Sequence, residues 1–360
     1  MIDQVTMLLS SSNLMPFTEL SKFLDVFTYP ILFLFWCFFV LRRDKKKTTT
    51  LLLAAIFVIG SVLVLKGLYN SPRPCEEITS KIVCPTDGSF PSGHTTAAAM
   101  FIPAFLELAA FPLYLLFYLA VAASRMYLGV HTLEDIVGGT LVGIITYFIA
   151  DWIISGKKSF IGRRSNSKTL AIDKEIKRQL FHILLGLLLT AAFFYFSTVN
   201  SVEWIRLFTL LIFLGGLCII NKKQLSKKGK LPFIDSLLGE LERPGATPGH
   251  GAFWLIVGLL IAISFLGNDS EIIATMLILS VSDGVATLFG RFGKQKLPYN
   301  RKKTYLGSAL FFISALLSYL FIGQIALLLA AFLTIVESLS TPIDDNLLVS
   351  LAAVVFFAVF

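Results

Sequence analysis

The chain has 360 residues, 56% of them hydrophobic and 15% charged, with a mean hydropathy of +0.78. Soluble domains carry about a quarter charged residues, so this composition excludes a soluble globular protein and points to an all-α polytopic membrane protein. The net charge of +8 does not point to a nucleic-acid partner, because in a membrane chain the positions of Lys and Arg matter more than their sum.

Residues 1–23 are mildly amphipathic and are expected at the outer interface. Met1 to Leu20 lacks a basic start followed by an apolar core, so no cleaved signal peptide is evident. About twelve apolar spans follow, at roughly 24–41, 50–68, 94–109, 112–128, 135–155, 179–199, 203–220, 251–267, 271–289, 305–322, 323–339 and 347–360. Several are short for a hydrocarbon core of ~30 Å. Gly138, Gly139 and Gly143, in the fifth, permit close helix packing.

The basic residues orient these spans. Alternate loops at 42–48, 156–178, 221–250 and 290–304 hold 25 of the 31 Lys and Arg, which assigns them to the cytoplasm. The polar, basic stretch 156–178 divides the chain into a first half at 1–155 and a second at 179–360. It reads as a topology-setting linker, with an anionic-lipid contact as the functional alternative. Cys75 and Cys84 share an outer loop, where an oxidising environment would allow a disulfide and two free thiols are the alternative. Cys37 and Cys218 lie inside spans and read as small apolar residues.

Between Lys66 and Asp135 stand four polar pieces: Lys66 with Arg73-Pro74, Pro91-Ser92-Gly93-His94, Ser124-Arg125, and His131 with Asp135. Lys66, Arg73 and Arg125 can clamp a phosphate, arginine by paired hydrogen bonds and lysine as a point charge. Ser92 and the amides around Gly93 can add donors. Four residues apart on a helix, Asp135 can fix the tautomer of His131 and leave its other nitrogen to attack phosphorus. His94 is then the general acid for the departing oxygen. Any one of these residues alone is more often an interfacial anchor. Together, in this order, they resemble the three-part signature of the phosphatidic acid phosphatase type 2 superfamily, over about residues 20–155. The resemblance implies a compact helical bundle with lipid phosphatase activity; three cations and two imidazoles call for no metal cofactor, and the Lys and Arg distribution faces the site outward.

The second half does not repeat the first, and its polar residues cluster at the opposite ends of the spans. They are His182, after Lys177-Arg178; Glu242-Arg243-Pro244; Asp283-Gly284; Gly290-Arg291 with Gly293-Lys294; Lys303-Thr304 with Gly307; Glu337; and Asp345-Asn346. Asp283 stands out, since a carboxylate at the centre of an apolar span costs up to ~2.5–3.5 kcal/mol and is functional by default. Gly-rich basic segments can cradle phosphates while acids hold magnesium; each piece alone also reads as turn glycines and cytoplasmic lysines. In sum they resemble the CTP-dependent lipid kinases that include dolichol kinase, phytol kinase and CTP-using diacylglycerol kinases, over about residues 175–360. That resemblance implies CTP and Mg2+, with Asp283 and Asp345 as metal contacts. Leu306 departs from the pattern, because family members often carry Glu there.

The expectation is thus a bifunctional enzyme of two helical-bundle domains in the plasma membrane. The first half hydrolyses a polyprenyl phosphate or diphosphate outside, through a phosphohistidine. The second phosphorylates polyprenol with CTP inside. A phosphatidate and diacylglycerol pair is the enzymatic alternative, and a twelve-span transporter is the alternative of another class.

Overall fold

The computed structural model describes residues 2–155, 172–199, 201–225, 250–341 and 343–360. Among them the chain is all-helical, apart from one isolated bridge between Lys296 and Thr304. It divides into two compact units. The first contains seven helices and parts of a ninth; the second contains the eighth, the rest of the ninth, and those that follow.

In the first unit, α1 (Gln4–Ser11) precedes α2 (Met15–Leu41). Helix α2 starts nine residues before the expected span, and Pro16 in its first turn carries a φ already set for a helix. Asp44 caps α3 (Lys45–Tyr69) by accepting from Lys47 N at 3.0 Å. Asn70 ends α3 in the left-handed conformation, with its N–H returned to Lys66 O. The expected span 94–109 is broken: α4 (Gly93–Ala99) stops before the one-turn α5 (Ile102–Phe105), where Pro103 has no N–H to continue the helix. Helices α6 (Phe111–Tyr127) and α7 (Leu133–Ser155) complete the set.

Helix α7 is the axis of this unit, buried over most of its length and packed on α3 and α4. Its glycines make the contact. A Cβ on Gly143 would sit 2.3 Å from Thr96 O, and one on Gly139 2.9 Å from Ser92 O. By contrast, Leu34, Ile56 and Leu63 on α2 and α3 are more than 60% exposed. Such apolar faces suit contact with lipid.

In the second unit, α8 (Ile172–Thr198) and α9 (Val202–Leu225) lead to α10 (His250–Phe265). One continuous helical rod follows, made of α11 (Asp269–Leu277), a π-helical turn (Ile278–Ser282) and α12 (Asp283–Gly290). Then come α13 (Tyr305–Ala315), the short α14 (Tyr319–Ile322), α15 (Ile325–Ser338) and α16 (Asp345–Val359). Leu255, Leu259, Phe311, Leu329 and Leu333 form the centre of its core.

Seven helical segments are long and apolar enough to cross a membrane, and four apolar helices are shorter. Of the twelve expected spans, seven are matched by full-length candidates among the described residues. The shortfall comes from α6, α10, α15 and α16, which have 17 residues or fewer, and from the break before α5. The expected linker lies outside the described residues up to position 171.

Candidate functional site

Each unit gathers one group of polar residues. In the first, the cations arrive from different elements. Lys66 stands in the last turn of α3, Arg73 in the loop that follows, and Arg125 at the end of α6. That loop is closed by a disulfide between Cys75 and Cys84, with Cα atoms 5.7 Å apart. Gly129, at φ +76°, turns the chain between α6 and α7 and leads it into His131.

His131 is 2% exposed and Asp135 3%. Nδ1 of His131 faces Asp135 Oδ2 and Ser89 Oγ, both at 3.4 Å. These separations are long for hydrogen bonds. Asp135 Oδ2 also accepts from Ser89 Oγ at 2.5 Å and from Thr132 N at 2.7 Å. On the other side, Arg73 Nη1 points to His131 Nε2 at 3.3 Å and donates to Val130 O at 3.0 Å. Arginine has donors only, so Nε2 must accept and the ring proton belongs on Nδ1, toward Asp135. The ring's lone pair is thus on the nitrogen that faces the cations.

Burial, with Arg125 and Arg73 adding to it, pushes the His131 imidazole down to about 4 against the opposing pull of Asp135. That shift favours the neutral ring, the form in which an imidazole can act as a nucleophile.

Two carboxylates not anticipated from the sequence hold the clamp together. Asp87 accepts from Lys66 Nζ at 2.7 Å and from Arg73 Nη2 at 2.7 Å. Partial burial would raise the Asp87 carboxyl, but the two cations hold it at about 2. Asp25, on α2, accepts from Arg125 Nη1, and its main-chain oxygen lies 3.0 Å from His94 Nε2. Tyr29 packs its ring 4.7 Å from that of His94. Ser92 Oγ is 3.1 Å from Thr95 Oγ1, and Ser92 N donates to Asp135 O at 3.1 Å. Gly93 opens α4 just before His94.

In the second unit, one carboxylate oxygen each from Asp283, Glu337 and Asp345 lies within 4.8 Å of the others. Asp283 follows the π-helical turn, a distortion frequent at functional sites. Lys303 Nζ donates to Glu337 Oε1, to Glu337 O at 2.6 Å and to Asp345 Oδ2 at 3.2 Å. Burial alone would lower the Lys303 ammonium, but Asp345 and Glu337 raise it, so it stays charged. Among the described residues, three carboxylates gather with one ammonium, a set whose remaining negative charge suits a divalent cation. Glu337 is 4% exposed, and its Oε2 has no hydrogen-bond partner among the described residues. An orphaned carboxylate oxygen beside two others is a hard oxygen set, so these residues fit Mg2+. No carboxylate at position 306 is needed to complete the trio; Leu306 is 41% exposed.

His182 Nε2 donates to Leu279 O at 3.1 Å and is 3.9 Å from Asp283 Oδ2. Thr304 Oγ1 donates to Gly290 O at 2.6 Å and accepts from Gly307 N at 3.1 Å. A Cβ on Gly290 would lie 2.9 Å from Gly307 Cα, and one on Gly293 2.8 Å from Thr304 Oγ1. The loop is thereby pinned beside the acidic trio. Asn346 Nδ2 donates to Asp344 Oδ1 at 3.2 Å. Arg291 and Lys294 are exposed, with the Arg291 guanidinium 4.9 Å above the Phe292 ring. Glu242 and Arg243 lie outside the described residues.

Residues 47–158 match the PAP2 superfamily model. An uncharacterized protein of Methanocaldococcus jannaschii is 30% identical over 177 residues, covering 48% of this chain and 87% of that protein. Phytol kinase 1 of Arabidopsis thaliana is 29% identical over 214 residues, covering 53% of this chain and 68% of that protein. Farnesol kinase of the same plant is 35% identical over 123 residues, or 29% of this chain and 40% of that protein. The chain thus spans about two thirds or less of these plant proteins. No solved structure matches it. The chain joins a PAP2 superfamily region at residues 47–158 to a half whose homologues are named phytol kinase and farnesol kinase.

Proposed function

We propose that the chain is a bifunctional membrane lipid enzyme: a metal-independent phosphatase acting on a lipid phosphate or diphosphate, joined to a CTP-dependent lipid-alcohol kinase. The observation that carries the first activity is the position of His131, held between Asp135 and Arg73 with Nε2 on the cation side. Nε2 attacks phosphorus, and the N–P bond forms as the bond from phosphorus to the departing oxygen breaks. His94 gives that oxygen a proton. Water then attacks phosphorus, His94 takes its proton back, and phosphate leaves with His131 restored. Lys66, Arg73 and Arg125 neutralise the charge on the transferring group.

For the second activity, the support is the convergence of Asp283, Glu337 and Asp345 beside the Thr304 loop. These three would hold Mg2+, which supplies charge neutralisation on the phosphates when bound. Lys303 keeps Glu337 and Asp345 in place, and the lipid hydroxyl, anchored in the membrane, is presented to the γ-phosphate by positioning alone. A polyprenol suits both halves, with the phosphatase outside and the kinase in the cytoplasm, as the distribution of Lys and Arg supports.

The test is direct. Purified protein is given CTP or ATP with polyprenol, phytol, farnesol or diacylglycerol, and separately the corresponding lipid phosphates. Phosphorylation of prenyl alcohols by CTP and release of phosphate without added metal are expected. Preference for diacylglycerol and phosphatidate would move the substrate class, and failure of all alcohols with every nucleotide would remove the kinase.

A further inference from the structure

Asp25 and Asp87 come from two different elements, and each engages part of the cation clamp. The Asp25 carboxylate accepts from Arg125, while its main-chain oxygen holds His94 at 3.0 Å. The Asp87 carboxylate spans Lys66 and Arg73, one oxygen to each, at 2.7 Å. Asp135 stands beside His131. Three carboxylates therefore stand among three Lys and Arg cations, and these six charges cancel before any phosphoryl group arrives.

This balance bears on what the site accepts. A phosphate monoester brings about 1.5–2 negative charges at neutral pH. A diphosphate brings more, and the addition falls on the departing side, because the bond broken joins the terminal phosphorus to the bridging oxygen. The departing side is where His94 stands, and Asp25 with it. A departing alcohol becomes neutral once His94 hands over its proton. A departing phosphate keeps negative charge and meets the Asp25 carboxylate, and like charges close together in a partly buried site repel. Asp25 is the only acidic residue between Lys22 and Asp44, and a carboxylate within an apolar helix is costly enough to call for a role.

We infer that Asp25 and Asp87 are specificity-determining residues that favour a lipid monophosphate over the corresponding lipid diphosphate. The inference rests on the phosphatase reading and narrows it. The product of the monoester reaction is inorganic phosphate and a lipid alcohol, the class of compound a lipid-alcohol kinase consumes. The two halves would then interconvert one alcohol and its monophosphate.

The experiment measures kcat/KM of the full chain in detergent for farnesyl monophosphate and farnesyl diphosphate, in the wild type and in D25N, D25E, D87N and D87E. The wild type should prefer the monophosphate, and D25N and D87N should each narrow that preference by ~5-fold or more, as relief of a like-charge contact predicts. The glutamate variants should keep the preference even where the overall rate falls. A purely structural role would lower both substrates alike and leave the ratio where it was. A wild-type preference for the diphosphate, or a ratio unmoved in both asparagine variants, would overturn the inference. If D25N fails to fold, D87N decides, since Asp87 lies on an exposed loop with a side chain 57% accessible. A wild type inert toward both compounds would instead sink the phosphatase reading itself.

Discussion

Arg73 Nη1 points at the Nε2 lone pair of His131 from 3.3 Å, while Asp135 and Ser89 approach the opposite ring nitrogen. The pairing fixes which nitrogen carries the proton and aims the other toward the clamp. It also sets the first expectation. The His131→Ala variant should lose lipid phosphate hydrolysis by several orders of magnitude, whereas His94→Ala should lose ~10²–10⁴-fold, the usual contribution of a general acid. The His94→Ala loss should shrink for p-nitrophenyl phosphate, whose leaving group needs no proton. Equal losses of His94→Ala on both substrates would remove His94 from that role.

The pH dependence follows from the neutral imidazole. His131 is pushed down to about 4, so the nucleophile is present above that pH and is lost as pH falls through it. The acid limb of kcat/KM should therefore bend near pH 4 in a profile taken on detergent-solubilised protein. A bend near the ordinary histidine value would mean that the ring is less shielded than its 2% exposure indicates.

Metal dependence should separate the two activities. Excess EDTA should leave phosphate release intact and abolish transfer from CTP. Phosphate release that disappears with EDTA and returns with Mg2+ would reject the histidine mechanism.

Substitution in the acidic trio should be equally selective. Asp283→Asn and Glu337→Gln should reduce prenol phosphorylation by more than the ~10–100-fold typical of changes one step removed from a metal, with phosphatase activity retained. Loss of both activities in a folded Asp283→Asn protein would require one shared site.

Sidedness can be read by thiol labelling. Single cysteines at Thr79 and Ser226, with Cys37, Cys75, Cys84 and Cys218 replaced, should differ in reaction with an impermeant reagent on intact cells. Equal labelling would reject the orientation drawn from the Lys and Arg distribution.

Much of this was legible in the sequence because the phosphatase residues are strung in fixed order over a short stretch. Lys66, Arg73, His94, Arg125, His131 and Asp135 stand out by their order and spacing alone. Asp87 could not: within Thr86-Asp87-Gly88 it has the look of any turn carboxylate, and only the fold brings it between two cations. Asp25 was within reach. The rule that singled out Asp283, a carboxylate in an apolar helix, applies equally to Asp25, but the expected span began at residue 24 and left it at the margin. Ser89 gave no signal at all, since its role depends on a loop folding back onto α7. In the second unit Asp283 and Asp345 drew notice as acids near helix ends. Glu337 is visible in the sequence too, as a terminal acid, but its place in the trio follows only from α15 ending beside Lys303, a pairing between residues 34 positions apart.

The bare faces of Gly139 and Gly143 set a distance as well as a contact. His94 rides on α4, and Asp135 rides on α7 beside His131, so the gap between the two imidazoles is governed by how near those two helices can come. A single methyl at Gly143 would meet Thr96 O at 2.3 Å and could be seated only by prising the helices apart. The reach of His94 toward His131 is in that sense written in hydrogen atoms, at positions on the α4–α7 seam. Enlarging them should slow turnover with every chemical group still in place.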